Sequence, residues 1–286
     1  MFSATMGICF LVLAAFSPRP SRATSDVPIP PFTPEESSFV LFAGAGFRLP
    51  IEEIAKLFES RTGLKVEASY AGSGCLIAQA ELLGRGDVFI PGEESFMDQA
   101  RGRGLVDQST PLARIEPVVA VRKGNPLHIA SLADLAQAGL RLGLGDPKSV
   151  AVGITAERWL ADALPPDQVA AVKANVRTRA LNVNELGSQL TLDALDAAIV
   201  WDATVPLFPE LAALRLEGGA EHRAQITGAV LQFTRHPEEA TQFMALLTSD
   251  EGRGIFLRFG YQPCVVASQN ANVGHEAEPT TPASAR

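Results

Sequence analysis

Residues 39–51 read Phe-Val-Leu-Phe-Ala-Gly-Ala-Gly-Phe-Arg-Leu-Pro-Ile, an apolar run that ends in two spaced glycines and leads to a proline. Apolar side chains then recur at helical spacing, at Ile51, Ile54, Ala55 and Phe58. A short apolar run bounded by glycines is typical of a buried strand, and the spacing after it is typical of an amphipathic helix. The stretch therefore predicts a strand, a glycine turn and a helix.

The same unit recurs along the chain. Gly72-Ser73-Gly74 separates a predicted strand from a predicted helix, and Asp146 to Gly153 does so again in the second half. The strands are predicted at residues 39–43, 64–70, 87–90, 117–121, 141–144, 176–181, 197–201 and 225–233. Strands that alternate with helices indicate parallel sheets covered by helices on both faces. The fold class is therefore α/β.

Length and charge exclude several classes of protein. The chain has 286 residues and a net charge of −8, which suits one large or two medium domains at about 150 residues per domain. No apolar run approaches the roughly 20 residues that a membrane helix needs. No stripe rich in Lys and Arg is present, so we expect no nucleic-acid partner.

The two ends of the sequence differ from its middle. Residues 6–16 form an apolar stretch, and Ser21-Arg22-Ala23 follows as a small-x-small cleavage pattern, so residues 1–23 are predicted to be a signal peptide and the protein periplasmic or otherwise exported. No Lys or Arg precedes the apolar stretch, which leaves an uncleaved anchor or a misassigned start as alternatives. Residues 24–37 are predicted to be an extended leader and residues 266–286 a disordered tail. The mature chain keeps Cys75 and Cys264, either paired or as free thiols.

The recurring glycine turns carry the chemistry. The first four N–H groups of a helix lack an intrahelical partner and lie at the positive end of the helix dipole, so a strand–turn–helix junction can seat an anion. Ser73 adds a hydroxyl donor to one such junction. The alternative is that these are the ordinary tight turns of an α/β sheet. Three turns of this kind favour an anion site.

Five short motifs occur in a fixed order, at residues 41–46 (LFAGAG), 71–74 (AGSG), 87–90 (DVFI), 145–156 (GDPKSV with Val152-Gly153 and Ala156) and 196–201 (DAAIVW). In this order they resemble the successive motifs of ModA-type periplasmic molybdate- and tungstate-binding proteins, over about residues 38 to 262. The resemblance implies a type II periplasmic-binding fold with two α/β lobes, each a mostly parallel sheet flanked by helices. Lobe 1 is predicted from residues 38–120 and 224–265, and lobe 2 from residues 121–223.

The resemblance also implies a function without catalysis. A small oxyanion, molybdate or tungstate, would lie between the lobes as ligand, and an ABC permease with its ATPase subunit would be the partners. No cofactor and no resident metal are implied, and we expect a monomer. An enzyme that holds a nucleotide at Gly44-x-Gly46 is a remote alternative, because Leu49 occupies the third glycine position of that fingerprint.

Carried over by motif, the ligand positions of the family fall at Gly46, Ser73, Val152, Val183 and Trp201. Gly46 has no hydroxyl, and Trp201 offers an indole N–H where the family supplies a phenol. Arg48 could replace the missing hydroxyl with a forked cationic donor, or it could pair with Glu52 on the surface. The predicted ligand-binding set is Gly46, Phe47, Arg48, Ser73 and Gly74 from lobe 1, and Val152, Gly153, Val183 and Trp201 from lobe 2.

Other ligands are compatible with the same fold. A carboxylate, another oxyanion or a metal species could replace molybdate, and the protein could be a periplasmic sensor. Acidic residues near the predicted cleft would suit a cation if several of them faced inward; they are Glu93, Glu94, Asp146, Glu185 and Asp202.

Overall fold

The structure is a computed structural model that describes residues 33–35 and 37–264. The predicted signal peptide, most of the predicted leader and the predicted tail lie outside these residues. The strands are β1 (Phe39–Gly44), β2 (Val66–Ala71), β3 (Val88–Ile90), β4 (Thr110–Ile115), β5 (Pro117–Arg122), β6 (Leu142–Gly145), β7 (Val176–Ala180), β8 (Ala197–Trp201), β9 (Leu211–Leu214), β10 (Ala224–Val230) and β11 (Gln262–Pro263). The helices are α1 (Arg48–Thr62), α2 (Ser73–Leu83), α3 (Glu94–Gly102), α4 (Ala151–Ala163), α5 (Pro166–Ala174), α6 (Val183–Thr191), α7 (Pro237–Thr248) and α8 (Asp250–Arg258).

The strands form two sheets, one in each lobe of a type II periplasmic-binding fold. The first sheet has the strand order β11-β4-β10-β3-β1-β2, and the second has the order β7-β6-β8-β5-β9. The strand–turn–helix units predicted from the sequence are present, and the first two helices end as predicted at Gly63 and Gly84, which both adopt left-handed backbone angles. The sequence patterns do not predict β4, β9 or β11.

Both sheets are mixed, where the sequence predicts mostly parallel ones. β1 runs parallel to β2 and β3, but β10 runs antiparallel to β3 and β4. In the second sheet β6 is parallel to β7 and β8, while β5 is antiparallel to β8 and β9. The parallel neighbours follow helical crossovers. The antiparallel strands β5 and β10 instead enter their sheets directly from the other lobe.

The chain passes between the lobes twice. It leaves the first sheet at Glu116, between β4 and β5, and returns before β10. The predicted lobe boundary at residues 120 and 121 falls inside β5, and all six residues of this strand lie in the second sheet. Arg223, at the return crossing, pairs with the Glu116 carboxylate at 3.1 Å. The two crossing segments are therefore held together by a buried carboxylate.

The core of the first lobe is built around β1. All five residues from Phe39 to Ala43 are fully buried, and the Phe39 ring packs against Phe58 of α1 and Phe243 of α7 at centroid distances of 5.2 and 5.3 Å. Burial of each such side chain contributes roughly 1.5–3 kcal/mol to stability. Because β1 is fixed on both faces, the turn that follows it has a defined position. No helix in the described part of the chain has the length and apolar character required to span a membrane.

Candidate functional site

A cavity lies between the two lobes and is lined from both. Its walls are the starts of four helical segments, at residues 44–47, 71–73, 150–151 and 182–183, together with Gly92, Trp201 and Tyr261. The volume open to the centre of a water molecule is about 30 Å³. A single buried water needs roughly 10–15 Å³ of such space. The cavity therefore suits a ligand of few heavy atoms.

Four helical segments begin at the cavity, and their first turns determine its electrostatic character. The 3-10 turn Ala45–Phe47 precedes α1, and α2, α4 and α6 begin at Ser73, Ala151 and Val183. First-turn N–H groups have no intrahelical acceptor, and each helix presents the positive end of its dipole there. Within residues 33–35 and 37–264, no Lys, Arg, His, Asp or Glu lines the cavity. The polar groups that the cavity can offer to a ligand are therefore backbone dipoles and neutral side chains.

Ser73 is an oriented hydroxyl donor in this wall. It is the first residue of α2 and is almost completely buried. Its Oγ accepts the backbone N–H of Gly92 at 3.0 Å, and Gly92 also lines the cavity. Because Gly92 donates to a lone pair of Oγ, the Ser73 hydroxyl keeps its single proton for donation to another group.

Two carbonyl groups beside the cavity are covered by side-chain donors. The Tyr261 hydroxyl donates to the Gly46 carbonyl oxygen at 2.7 Å, and the Asn184 amide donates to the Ala45 carbonyl oxygen at 3.1 Å. Burial, together with the nearby Asp202 charge, raises the pKa of the Tyr261 hydroxyl, which therefore stays protonated. The Gly46 and Ala45 carbonyl oxygens in the first turn thus each have a side-chain hydrogen-bond donor.

Sequence patterns did not identify Tyr261, Asn184 or Gly92 as site residues. Tyr261 is separated from Gly46 by 215 residues, so only folding brings them together. Gly92 lies in the turn between β3 and α3, and its link to the cavity depends on the contact with Ser73. A signal was available only for Asn184, which lies beside Val183 at a predicted helix start.

The structure brings five of the predicted site residues to the cavity, namely Gly46, Phe47, Ser73, Val183 and Trp201. Three others lie next to it. The Gly74 N–H donates to the Ser149 carbonyl at 3.3 Å and the Gly153 N–H to the Val150 carbonyl at 2.9 Å, so neither is free for a ligand. Val152 is fully buried, and its neighbours Val150 and Ala151 line the wall instead.

Arg48 lies outside the cavity. Its guanidinium group lies 4.8 Å from the centroid of the Tyr70 ring and 3.8 Å from the Glu52 carboxylate. With Tyr70 it lines a separate hollow on the surface of the first lobe. Arg48 is the first residue of α1, and its side chain points towards Tyr70 on β2. The guanidinium group that the sequence offered as a ligand donor is therefore not at the cavity.

The acidic residues near the cleft have partners elsewhere. None of them lines the cavity, and no group of three or more His, Cys, Asp or Glu in the described ranges could hold a metal ion. Glu93 pairs with Arg158, Asp202 pairs with Arg215, Glu94 accepts from Thr227, Asp146 accepts from the Lys148 N–H, and Glu185 accepts from the Leu181 N–H. The condition for a carboxylate-rich cation site, that several acids face inward, is not met.

Comparison with known proteins agrees with this architecture. The sequence pattern of the family described as bacterial extracellular solute-binding proteins matches residues 39–262. A putative binding protein of Haemophilus influenzae is 28% identical over 81% of this chain and 94% of its own length. The molybdate-binding protein ModA of Mycobacterium tuberculosis is 28% identical over 78% of this chain and 84% of its own length.

A solved structure extends the likeness to the fold. PEB3, a protein of Campylobacter jejuni whose structure was solved with L-phospholactate bound, superposes with a TM-score of 0.66 at 21% identity. The match covers 79% of this chain and 99% of that one. At this identity the superposition shows the shared fold alone.

The Tyr261 hydroxyl is expected to stabilise the fold through its buried hydrogen bond. Tyr261→Phe leaves the Gly46 carbonyl without its donor, which should lower the free energy of unfolding by about 1–2 kcal/mol. Urea unfolding followed by circular dichroism measures this change. Tyr70→Phe is the matched control, because the buried Tyr70 hydroxyl has no hydrogen-bond partner among the described residues, and its removal should cost nothing. Equal losses in the two variants would contradict the assignment.

Proposed function

We propose that this chain, which belongs to the bacterial extracellular solute-binding protein family as a divergent ModA-type member, binds molybdate, tungstate or a similar small oxyanion in the cavity between its lobes. It would be the binding component of an ABC importer and would deliver the ligand to a permease driven by an ATPase subunit. The observation that carries the proposal is the convergence of four helix starts on one cavity to which no described residue contributes a charged side chain.

The hydrogen-bonding character of the cavity favours a fully deprotonated anion. Side-chain donors already occupy the Ala45 and Gly46 carbonyl groups, while the helix starts and Ser73 supply donors. All four oxygens of a tetrahedral dianion accept hydrogen bonds. Because the dianion carries no O–H group, it has no donor that needs an acceptor in the cavity. A protonated anion such as hydrogen phosphate would bury an O–H group that needs an acceptor, which costs about 1–3 kcal/mol when none is provided.

The size of the cavity favours a compact anion. The open volume of about 30 Å³ corresponds to roughly two or three buried waters at 10–15 Å³ each. Phospholactate and citrate carry additional carbon atoms and carboxylates, which would require the lobes to move apart. Identity of 28% with ModA proteins adds support for molybdate within the group of tetrahedral oxyanions.

Binding would proceed by closure of the lobes. Gly46, Phe47 and Ser73 contribute from the first lobe, and Ala151, Val183 and Trp201 contribute from the second. A ligand that contacts both walls stabilises the closed arrangement more than the open one, and this difference in affinity drives closure. No covalent bond is made or broken. The cavity is also far smaller than a nucleotide, which disfavours the remote alternative of a nucleotide-dependent enzyme.

The proposed setting follows from this role. Membership of a family of extracellular binding proteins supports the proposal that residues 1–23 direct export and that the mature protein acts in the periplasm. We propose that it acts there as a monomer. A sensor that passes ligand occupancy to a signalling partner would use the same closure. Genes for a permease and an ATPase beside the coding gene would favour transport.

Calorimetric titration of the purified mature protein tests the ligand. Molybdate and tungstate are expected to bind most tightly, sulfate less tightly, and phosphate at neutral pH weakly because it retains a proton. Citrate is expected to give no heat because of its size. If molybdate and tungstate give no heat of binding while phosphate or citrate binds tightly, the proposed ligand class is refuted.

Removal of the Ser73 hydroxyl should weaken binding. A hydrogen bond to a charged group contributes about 1.5–3 kcal/mol, so Ser73→Ala should raise the dissociation constant for molybdate about 10- to 150-fold. Ser60→Ala is the control, since the Ser60 hydroxyl donates only to the Leu57 carbonyl on the exposed side of α1. Unchanged molybdate affinity in Ser73→Ala would remove Ser73 from the site.

A single methyl group at Gly72 should hold the cleft open. A Cβ atom there would lie 2.5 Å from both the Leu181 and the Ser149 carbonyl oxygens, which belong to the opposite lobe. Gly72→Ala should therefore lower molybdate affinity at least about tenfold, a cost of 1.4 kcal/mol or more, while urea unfolding stays near that of the wild type because opening relieves the clash. Gly102→Ala, where a Cβ meets nothing within 4 Å, should bind normally. Wild-type affinity in Gly72→Ala would contradict the closure mechanism.

A further inference from the structure

Arg158 reaches across the cleft to a carboxylate of the other lobe. It lies on α4, in the second lobe, and its guanidinium Nη2 donates to Oε1 of Glu93 in the first lobe. The other oxygen of Glu93 accepts the Ser95 hydroxyl at 3.0 Å. Both oxygens of the carboxylate are therefore engaged, one within its own lobe and one across the cleft.

The two partners are unequally exposed. The Glu93 side chain is 10% exposed and the Arg158 side chain is 57% exposed. Burial raises the pKa of the Glu93 carboxyl, and the Arg158 charge opposes this change. A carboxylate removed from water is costly unless a partner compensates for it. In the closed arrangement Arg158 is that partner, whereas an open cleft would return water to Glu93.

The ion pair joins the two walls of the cavity without being part of them. Glu93 directly follows Gly92, which lines the cavity and donates to Ser73. Arg158 lies on the helix whose start, at Val150 and Ala151, forms the opposite wall. Neither Glu93 nor Arg158 lines the cavity itself. The pair can therefore change the energy of closure without changing a ligand contact.

We propose that the Arg158–Glu93 ion pair is a positioning pair that stabilises the closed cleft and so sets the apparent affinity for the ligand. This inference rests on the proposed function only for the identity of the ligand. Stabilisation of the closed arrangement raises the fraction of molecules that are competent for tight binding. Loss of the pair acts through closure, so it should speed ligand dissociation and leave the specificity order unchanged.

Arg158→Ala tests the pair in the full mature protein, with molybdate as the probe in calorimetric titration. A charge-assisted hydrogen bond is stronger than a neutral one, and the exposure of Arg158 weakens this one, so we expect an affinity loss of about 3- to 20-fold. Glu93→Gln should lose less than Arg158→Ala, because it leaves no buried charge. The double variant should bind no worse than Arg158→Ala, since the two changes remove one interaction.

Arg179→Ala is the matched control. Arg179 pairs with Glu157, the residue that precedes Arg158 on α4, at 3.0 Å and entirely within the second lobe. This variant should bind molybdate as the wild type does. An equal loss in Arg179→Ala and Arg158→Ala would assign the effect to disturbance of α4 and overturn the proposal.

Small-angle X-ray scattering separates this inference from the proposed function. Arg158→Ala should show a larger radius of gyration than the wild type in buffer alone, whatever the ligand is, and Arg179→Ala should not. Equal radii in the wild type and Arg158→Ala would overturn the positioning role. Absence of heat with every oxyanion in the wild type would instead refute the proposed ligand, and the scattering comparison would still decide the role of Arg158.

Discussion

The unpaired N–H groups at helix starts are the constraint on which this site depends. Every strand that leads through a tight turn into a helix leaves such groups exposed, and the parallel strands β1, β2, β6 and β7 place four of these turns along the edges that face the cleft. Two lobes that meet at these edges enclose one cavity lined by the starts of four helical segments. The geometry of the proposed site is thus a property of the backbone path, and the side chains adjust it.

Side chains adjust the walls by hydrogen bonding to the turns. Tyr261 and Asn184 donate to the Gly46 and Ala45 carbonyl oxygens, and the Ser73 hydroxyl oxygen accepts the Gly92 N–H. The lobes approach each other backbone against backbone at Gly72 and at the Gly74–Ser149 hydrogen bond. Small residues are required at such contacts because a side chain would separate the surfaces that must meet.

Sequence patterns predicted the parts of this structure that local chemistry determines. The strand–turn–helix units, the helix ends at glycine, and the position of Ser73 in a turn that begins a helix all follow from nearest neighbours in the chain. The direction of the Arg48 side chain and the contributions of Tyr261 and Gly92 depend on which segments fold against each other, which periodicity does not record. The mixed sheets have the same origin, because the orientation of β5 and β10 follows from the two crossings between the lobes.

The absence of charged side chains from the cavity wall, in the part of the chain that the structure describes, has a consequence for the kinetics of capture. Dipoles at a helix start act within about one turn, whereas the field of a protein with a net charge of −8 extends further and repels an anion. Encounter with the proposed oxyanion would therefore not be steered by long-range attraction. High affinity in such a protein must come from a long residence time, and the supply of ligand to a transporter would then be governed by how often the cleft reopens.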